Sequence, residues 1–200
     1  MSGAQVVEHP AGISWVLTGE PMQRASHAVG DGDGVWLVDP VDEAGAVQRA
    51  QALGPVRAVV QLLDRHPRDC AVLAGRLGVP HLRLPDAVPG SPFEVRTVVD
   101  VPRWREKALW WPQQRALVVA ELLGTNEYYR LGPGAVGIHP FLRVLLPGAL
   151  RGLQPEVLLC GHGLPVTGPE TPAAVEEAHH RARLDLVRTP LKLGALWRAR

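Results

Sequence analysis

Residues 62–70 read LLDRHPRDC. Within them, Asp64, His66, Asp69 and Cys70 form the densest group of potential metal ligands in the chain. Carboxylate, imidazole and thiolate groups are the side chains that bind zinc in proteins. Whether this segment holds a metal ion therefore decides most of what the sequence predicts about function.

A strand leads into this segment and a helix follows it. Residues 56–63 are apolar and rich in valine, which predicts a buried strand. Residues 70–77 have helical spacing, with Asp69 placed to cap the helix and Gly78 placed to end it. The candidate ligands thus lie in the connection between a buried strand and a helix.

The remaining pattern predicts groups of strands alternating with helices. Strands are predicted at residues 13–17, 34–38, 81–84, 94–101, 107–111, 116–120 and 157–160, and helices at 42–53, near 141–145 and at 172–188, with Thr171 as the cap of the last. This grouping predicts a layered αββα domain rather than a uniform βαβ repeat. A length of 200 residues suits one domain spanning residues 1–200.

Composition indicates a soluble globular protein. The net charge of +1 gives no reason to expect nucleic acid or an anionic membrane as a partner. The N-terminus lacks the pattern of a secretory signal, and no apolar run approaches the roughly 18 residues of a membrane span. The two cysteines, Cys70 and Cys160, lie far apart, so no disulfide framework is indicated. We therefore expect a cytoplasmic protein with reduced thiols; a homo-oligomer is compatible with the sequence.

Four stretches of the sequence, taken together, resemble the motifs of a known protein family. They are residues 35–40 (VWLVDP), 64–70 (DRHPRDC), 115–123 (RALVVAELL) and 157–165 (VLLCGHGLP). In order and spacing they resemble the metallo-β-lactamase fold superfamily, at its short, glyoxalase-II-like end. The resemblance covers most of the chain and implies a four-layer αββα sandwich.

Several positions depart from the pattern of that family. Asp64 stands where the family has its first metal-binding histidine, or Arg65 does if the alignment starts from the other end of the motif. Cys70 replaces a histidine, Glu121 replaces the bridging aspartate, and residues 101–105 lack the isolated histidine expected there. The resemblance therefore implies that the first metal position is nearly erased.

The second metal position keeps a substituted ligand set. The resemblance implies one zinc ion bound by Asp69, Cys70, Glu121 and His162, with help from His66. Such an ion would lower the pKa of a bound water and hydrolyse an ester, thioester or phosphoester. Asp69 would then be the catalytic carboxylate as well as a ligand.

Four of these five residues also have a simpler interpretation, which for His66 is a histidine in a loop. Asp69 is a suitable helix cap, and a free cysteine such as Cys70 is usually a small buried apolar residue. Glu121 is a strand-end carboxylate that an arginine could pair with. For His162 a role in a site is favoured, because the glycines on either side of it allow other groups to approach the backbone closely.

A second hypothesis needs no metal. The candidates for contacting an unknown small-molecule substrate are Asp64, Arg103, Tyr128 and His139. Arg103 or Arg105 could pair with Asp64 and replace the charge of the lost metal. Trp104, Trp110 and Trp111 could fill its space. The chain would then be a catalytically inactive member of the family that binds a small ligand or a partner protein through the old cleft, with no cofactor.

Overall fold

The computed structural model describes residues 3–198. The strands are β1 (Gln5–His9), β2 (Gly12–Val16), β3 (Ala25–Gly30), β4 (Val35–Val38), β5 (Val56–Gln61), β6 (His81–Arg83), β7 (Glu94–Val101), β8 (Trp104–Trp111), β9 (Ala116–Val119), β10 (Leu123–Gly124), β11 (Gly137–Ile138), β12 (Val157–Cys160) and β13 (Val166–Thr167). The helices are α1 (Ala44–Ala52), α2 (Cys70–Leu77), α3 (Glu127–Arg130), α4 (Leu142–Leu145) and α5 (Thr171–Arg198), with a 3₁₀ turn at Pro112–Gln114.

Most strands form two sheets. The first has six strands in the order β1-β2-β3-β4-β5-β6, and the second has five in the order β13-β12-β9-β8-β7. Strands β4, β5 and β6 run parallel to one another, as do β9 and β12, while the other neighbours are antiparallel. The carboxyl ends of β5, β9 and β12 are therefore free to present loops to a shared site.

Both sheets are buried on two faces. In β4, Val35 and Leu37 pack with α1 and α2, whereas Trp36 and Val38 pack against the second sheet. A strand with two buried faces has no polar alternation, which explains its continuous apolar sequence. Strand β4 therefore lies in the interior of the layered core.

The second sheet is covered on its outer face by helices. In β9, Leu117 and Val119 share a cluster with Val175 and Ala178 of α5, while Val118 faces the first sheet. The layers therefore run helices, sheet, sheet, helices. This order confirms the predicted four-layer αββα sandwich.

Several element predictions are confirmed, and others are corrected. Helix α2 and strands β7 and β12 have their predicted bounds. Asp69 is the N-cap residue of α2 as predicted, but its side chain makes no capping bond, and its Oδ2 accepts the N–H of Asp42 at 2.8 Å instead. Thr171 is the first residue of α5 rather than its cap. No helix within residues 3–198 has the length and apolarity needed to span a membrane.

Candidate functional site

A cleft of about 960 Å³ is formed by the segments that follow β5, β9 and β12. The segments after the three strands contribute Arg65 to Arg68, Glu121 and His162 respectively. The full lining is Glu20, Pro21, Met22, Arg24, Arg65, His66, Pro67, Arg68, Glu121, Glu127, Tyr128, His139, Phe141 and His162. Several charged groups thus meet in a volume that suits a small organic ligand.

His162 is a neutral histidine with a defined tautomer. Its Nδ1 lies 2.9 Å from the carbonyl oxygen of Met22, and a carbonyl only accepts, so Nδ1 carries the proton. Nε2 is buried without a hydrogen-bond partner. Burial lowers the pKa of His162 to about 4, with the charge of Arg68 acting in the same direction. His162 therefore presents a lone pair, not a proton, to the cleft at neutral pH.

Glu121 lies beside His162 and is held by a second carboxylate. Its Oε1 lies 3.9 Å from Nε2 of His162 and 3.3 Å from Nε2 of His66. Glu106 Oε1 accepts the backbone N–H groups of Glu121 and Leu122 at 2.8 and 2.9 Å. Burial raises the pKa of Glu121, against the opposing influence of His66 and nearby arginines.

Arg65 supplies positive charge next to this carboxylate. Its guanidinium carbon lies 4.2 Å from the centre of the Trp104 ring, and Nη1 lies 3.6 Å from Oε2 of Glu121. A guanidinium over an indole face is a favourable cation–π contact. The sequence hypothesis named Arg103 or Arg105 for this role and missed Arg65. The alignment that sets Arg65 in the position of the first histidine was the available signal.

Arg68 is a second residue of the cleft lining that sequence reasoning missed. It adopts a left-handed backbone with φ of 51°, and its Nη2 donates to the carbonyl oxygen of Gly161 at 3.0 Å. Burial lowers the pKa of Arg68, while the charges of Asp39 and Glu121 oppose that shift. The guanidinium therefore ties the loop after β5 to the loop after β12.

Arg24 lies on the same cleft but is already paired. Its Nε and Nη2 donate to the two carboxylate oxygens of Glu20 at 2.6 and 2.5 Å. A bidentate pair satisfies most of the charge on both partners. Arg65 and Arg68 therefore have more N–H donors available for a ligand than Arg24 has.

Tyr128 and His139 line the cleft, where the sequence placed substrate candidates. The His139 ring makes an edge contact with Trp104, with ring centroids 4.9 Å apart. Burial lowers the pKa of His139 to about 3, and the charge of Arg65 adds to the effect. These residues form an aromatic wall with Phe141; their contact with a substrate stays a prediction.

Asp64 and Arg103, the other substrate candidates, lie outside the cleft lining. Asp64 accepts the backbone N–H of Arg105 at 3.0 Å and lies 3.4 Å from its Nε. Arg103 is exposed, with φ of 68°, in the turn between β7 and β8. Asp64 thus pairs with Arg105, as the metal-free hypothesis expected, but it lies outside the cleft lining, and its charge adds to the raised pKa of Glu121.

Asp69 and Cys70 also lie outside the cleft lining. Cys70 begins α2 with 0% exposure and packs with Leu73 in the core beneath the first sheet, and burial raises the pKa of its thiol far above the ordinary value. The Asp69 carboxylate accepts a backbone N–H, as described above. These two side chains therefore do not converge with Glu121 and His162.

The donor set implied by the family does not fit a metal ion here. Among residues 3–198, no group of three or more histidine, cysteine, aspartate or glutamate side chains is arranged to hold one. His66, Glu121 and His162 approach one another in pairs, but the Arg65 cation contacts the same carboxylate. No chemical step is derived through a metal.

Comparison with known proteins identifies the fold. No protein-family model and no curated protein matches the chain in sequence. Among solved structures, a metallo-β-lactamase from Hirschia baltica is 11% identical, with a TM-score of 0.58 over 90% of this chain and 98% of that one. A metallo-β-lactamase from Pontibacter korlensis is 12% identical, with a TM-score of 0.54 over 88% and 99%.

A fragment of a putative diflavin flavoprotein from a Nostoc species is similar to the same degree. It is 13% identical, with a TM-score of 0.58 over 91% of this chain and 97% of that one. Sequence identities this low support a shared fold and not a shared function. Together with the two sheets and their flanking helices, these likenesses show that the chain has the metallo-β-lactamase fold.

Proposed function

We propose that this chain binds a small molecule in the cleft without a metal ion. The observation that carries the proposal is the position of Arg65, stacked on Trp104 and 3.6 Å from Glu121. In this interpretation the chain keeps the fold and the cleft of a hydrolase-like scaffold. Guanidinium groups supply the positive charge that metal ions would otherwise supply.

Electrostatics favour this interpretation. A divalent cation on Glu121 would lie close to the Arg65 guanidinium, and like charges repel. At 4 Å and an effective dielectric constant of about 20, each pair of unit charges costs about 4 kcal/mol. Glu121 is 4% exposed and the Arg65 side chain is 33% exposed, so solvent screens such a pair only in part. Arg65 and a metal ion are therefore competitors for the same carboxylate.

A metal-dependent hydrolase is the second candidate, and one observation favours it. His162 donates Nδ1–H to a backbone carbonyl and leaves Nε2 unpaired near Glu121. Metal-binding histidines have the same arrangement, with the second nitrogen fixed by a hydrogen bond. In this case a single zinc ion would serve hydrolysis of an ester, thioester or phosphoester.

The metal content of the protein separates the two candidates. Zinc, iron and manganese are quantified per chain in untagged protein, before and after zinc reconstitution. His162→Ala removes the cleft histidine, and His180→Ala removes an exposed histidine of α5 as the matched control. We expect metal far below one per chain in all three proteins. Metal near one per chain that is lost only in His162→Ala would contradict the proposal and support the hydrolase.

A further inference from the structure

Two buried acceptors beside the cleft make no hydrogen bond, although one of them lies 3.6 Å from Nη1 of Arg65. Nε2 of His162 and Oε2 of Glu121 are buried and have no hydrogen-bond partner, and each side chain is 6% exposed. Leaving a buried acceptor unpaired costs about 1–3 kcal/mol. A ligand that donates hydrogen bonds to this pair recovers that cost.

Two cations stand next to these acceptors. Arg65 lies over the Trp104 ring and lines the cleft. Arg68 donates through Nη2 to Gly161, which uses one of its five N–H donors. A guanidinium group binds carboxylates and phosphates through paired N–H donors. The cleft therefore combines anion-binding groups with acceptors that need a donor.

The distance between the arginine cations and the buried acceptors limits how far apart the ligand's anionic group and its hydrogen-bond donor can be. Nη1 of Arg65 lies 3.6 Å from Oε2 of Glu121. A ligand oxygen bound to the first and a ligand donor bound to the second lie within a few ångström of each other when both approach from the same side. The anionic group and the donor of one small molecule satisfy this when they are on the same carbon or on adjacent carbons.

We propose that the ligand carries an anionic group, a carboxylate or a phosphate, bound by Arg65 and Arg68, with a nearby hydroxyl or amino group that donates to Glu121 and His162. This proposal rests on the metal-free cleft and specifies what it binds. Short hydroxy acids, amino acids and hydroxyalkyl phosphates share this chemistry. The cleft of about 960 Å³ is larger than such a head group, and Tyr128 and Phe141 supply an apolar wall for the rest of the molecule.

The positive charges of these arginines also affect two histidines of the cleft. The charge of Arg65 contributes to the lowered pKa of His139, and the charge of Arg68 contributes to that of His162. The carboxylate of Glu20 is engaged by Arg24 and does not offset these two arginines. The lining also includes Glu121 and Glu127, so an anion would be bound by local contact with the two guanidinium groups and not by a net positive charge of the cleft.

Chemical-shift titration of ¹⁵N-labelled protein tests the proposal. The probes are L-lactate and sn-glycerol 3-phosphate, which carry an anion and a hydroxyl group. Propionate lacks the hydroxyl group, and glycerol lacks the anion. We expect at least one of the first two to shift cleft resonances at lower concentration than its matched control. Which one does so distinguishes a carboxylate ligand from a phosphate ligand.

Arginine variants test whether Arg65 and Arg68 bind the anionic group. Arg65→Gln and Arg68→Gln should each weaken binding of the effective probe by about 10-fold or more, the value of a charged hydrogen bond. Arg96→Gln removes the same charge from the outer strand β7, where Arg96 pairs with Glu94 at 2.6 Å, and should leave binding unchanged. The spectra show whether each variant is folded, and Arg65→Gln leaves the contact between Arg68 and Gly161 in place.

Three results would overturn the proposal. The first is glycerol binding as tightly as the anions, which refutes the ligand class but keeps a metal-free cleft. The second is binding that is unchanged in both cleft variants, or no cleft shift with any probe. The third is binding of the anions only after zinc is added, which refutes the proposed function itself.

Discussion

The Gly163→Ala variant tests how the loop that carries His162 is built. Gly163 has φ of +98°, and an added Cβ would lie 2.2 Å from Oγ1 of Thr125 and 2.6 Å from the backbone nitrogen of Asn126. The substitution therefore combines backbone strain with a steric clash. Strain in the left-handed region costs about 1–2 kcal/mol, and overpacking costs about 1–3 kcal/mol. We expect a loss of about 4 kcal/mol in the free energy of unfolding.

Two other glycines separate these contributions. Gly152 has φ of +81° with open space around its Cβ position, so Gly152→Ala introduces strain alone and should cost about 1 kcal/mol. Gly161 is outside the left-handed region, but its Cβ would lie 2.4 Å from the carbonyl oxygen of Ala120. Gly161→Ala thus introduces a clash alone and should cost about 2–3 kcal/mol. The lower entropy of the unfolded alanine chain affects all three variants alike.

Urea unfolding followed by tryptophan fluorescence measures these differences. For a chain of this size each kcal/mol lowers the melting temperature by about 2–4 °C, so thermal scans give an independent value. Gly163→Ala should be the least stable of the three variants. A Gly163→Ala variant no less stable than Gly152→Ala would refute the close approach between the His162 loop and residues 125–126.

Three further predictions concern buried polar groups. Burial lowers the pKa of His27 to about 3, so between pH 6.5 and that value only the unfolded chain takes up a proton at this residue. The wild-type protein therefore loses stability as the pH falls from 7 to 5. In His27→Gln this loss, measured by urea unfolding, should be smaller by about 2 kcal/mol. Glu106→Ala leaves two buried N–H groups unpaired and should cost about 3 kcal/mol in thermal unfolding, with Glu106→Gln less harmful because its side-chain oxygen still accepts. Cys70 and Cys160 are buried with raised thiol pKa values and should react with a disulfide reagent only after denaturation.

Much of the fold could be predicted from apolar runs alone. Strands such as β9 and β12 are buried on both faces, so their sequences are continuous and hydrophobic. Strand β3 was missed because Ser26 and His27 interrupt its pattern. Both are buried in satisfied hydrogen bonds: Ser26 accepts the N–H of Val41, and His27 lies 2.7 Å from the Ser14 hydroxyl. A buried polar network has no signature in hydrophobic periodicity.

The candidate site was less accessible to sequence reasoning. Glu121 and His162 each follow a buried strand, so their meeting in one cleft follows from the fold. Cys70 looked like a ligand because of its position in the motif, but the first turn of α2 directs it into the core. Arg65 was considered only as an alternative occupant of the lost histidine position, and Arg68 was not considered. Their role depends on Trp104 and Gly161, which are distant in sequence and close only in the folded chain.

The response of the melting temperature to zinc tests the central claim most directly. A ligand present at about 100 times its dissociation constant stabilises the folded state by about 2.7 kcal/mol, or several degrees for a chain of this size. If Arg65 supplies the charge beside Glu121, the melting temperature should be the same in excess zinc and in a chelator. A rise of several degrees in zinc that is absent in His162→Ala would contradict the account.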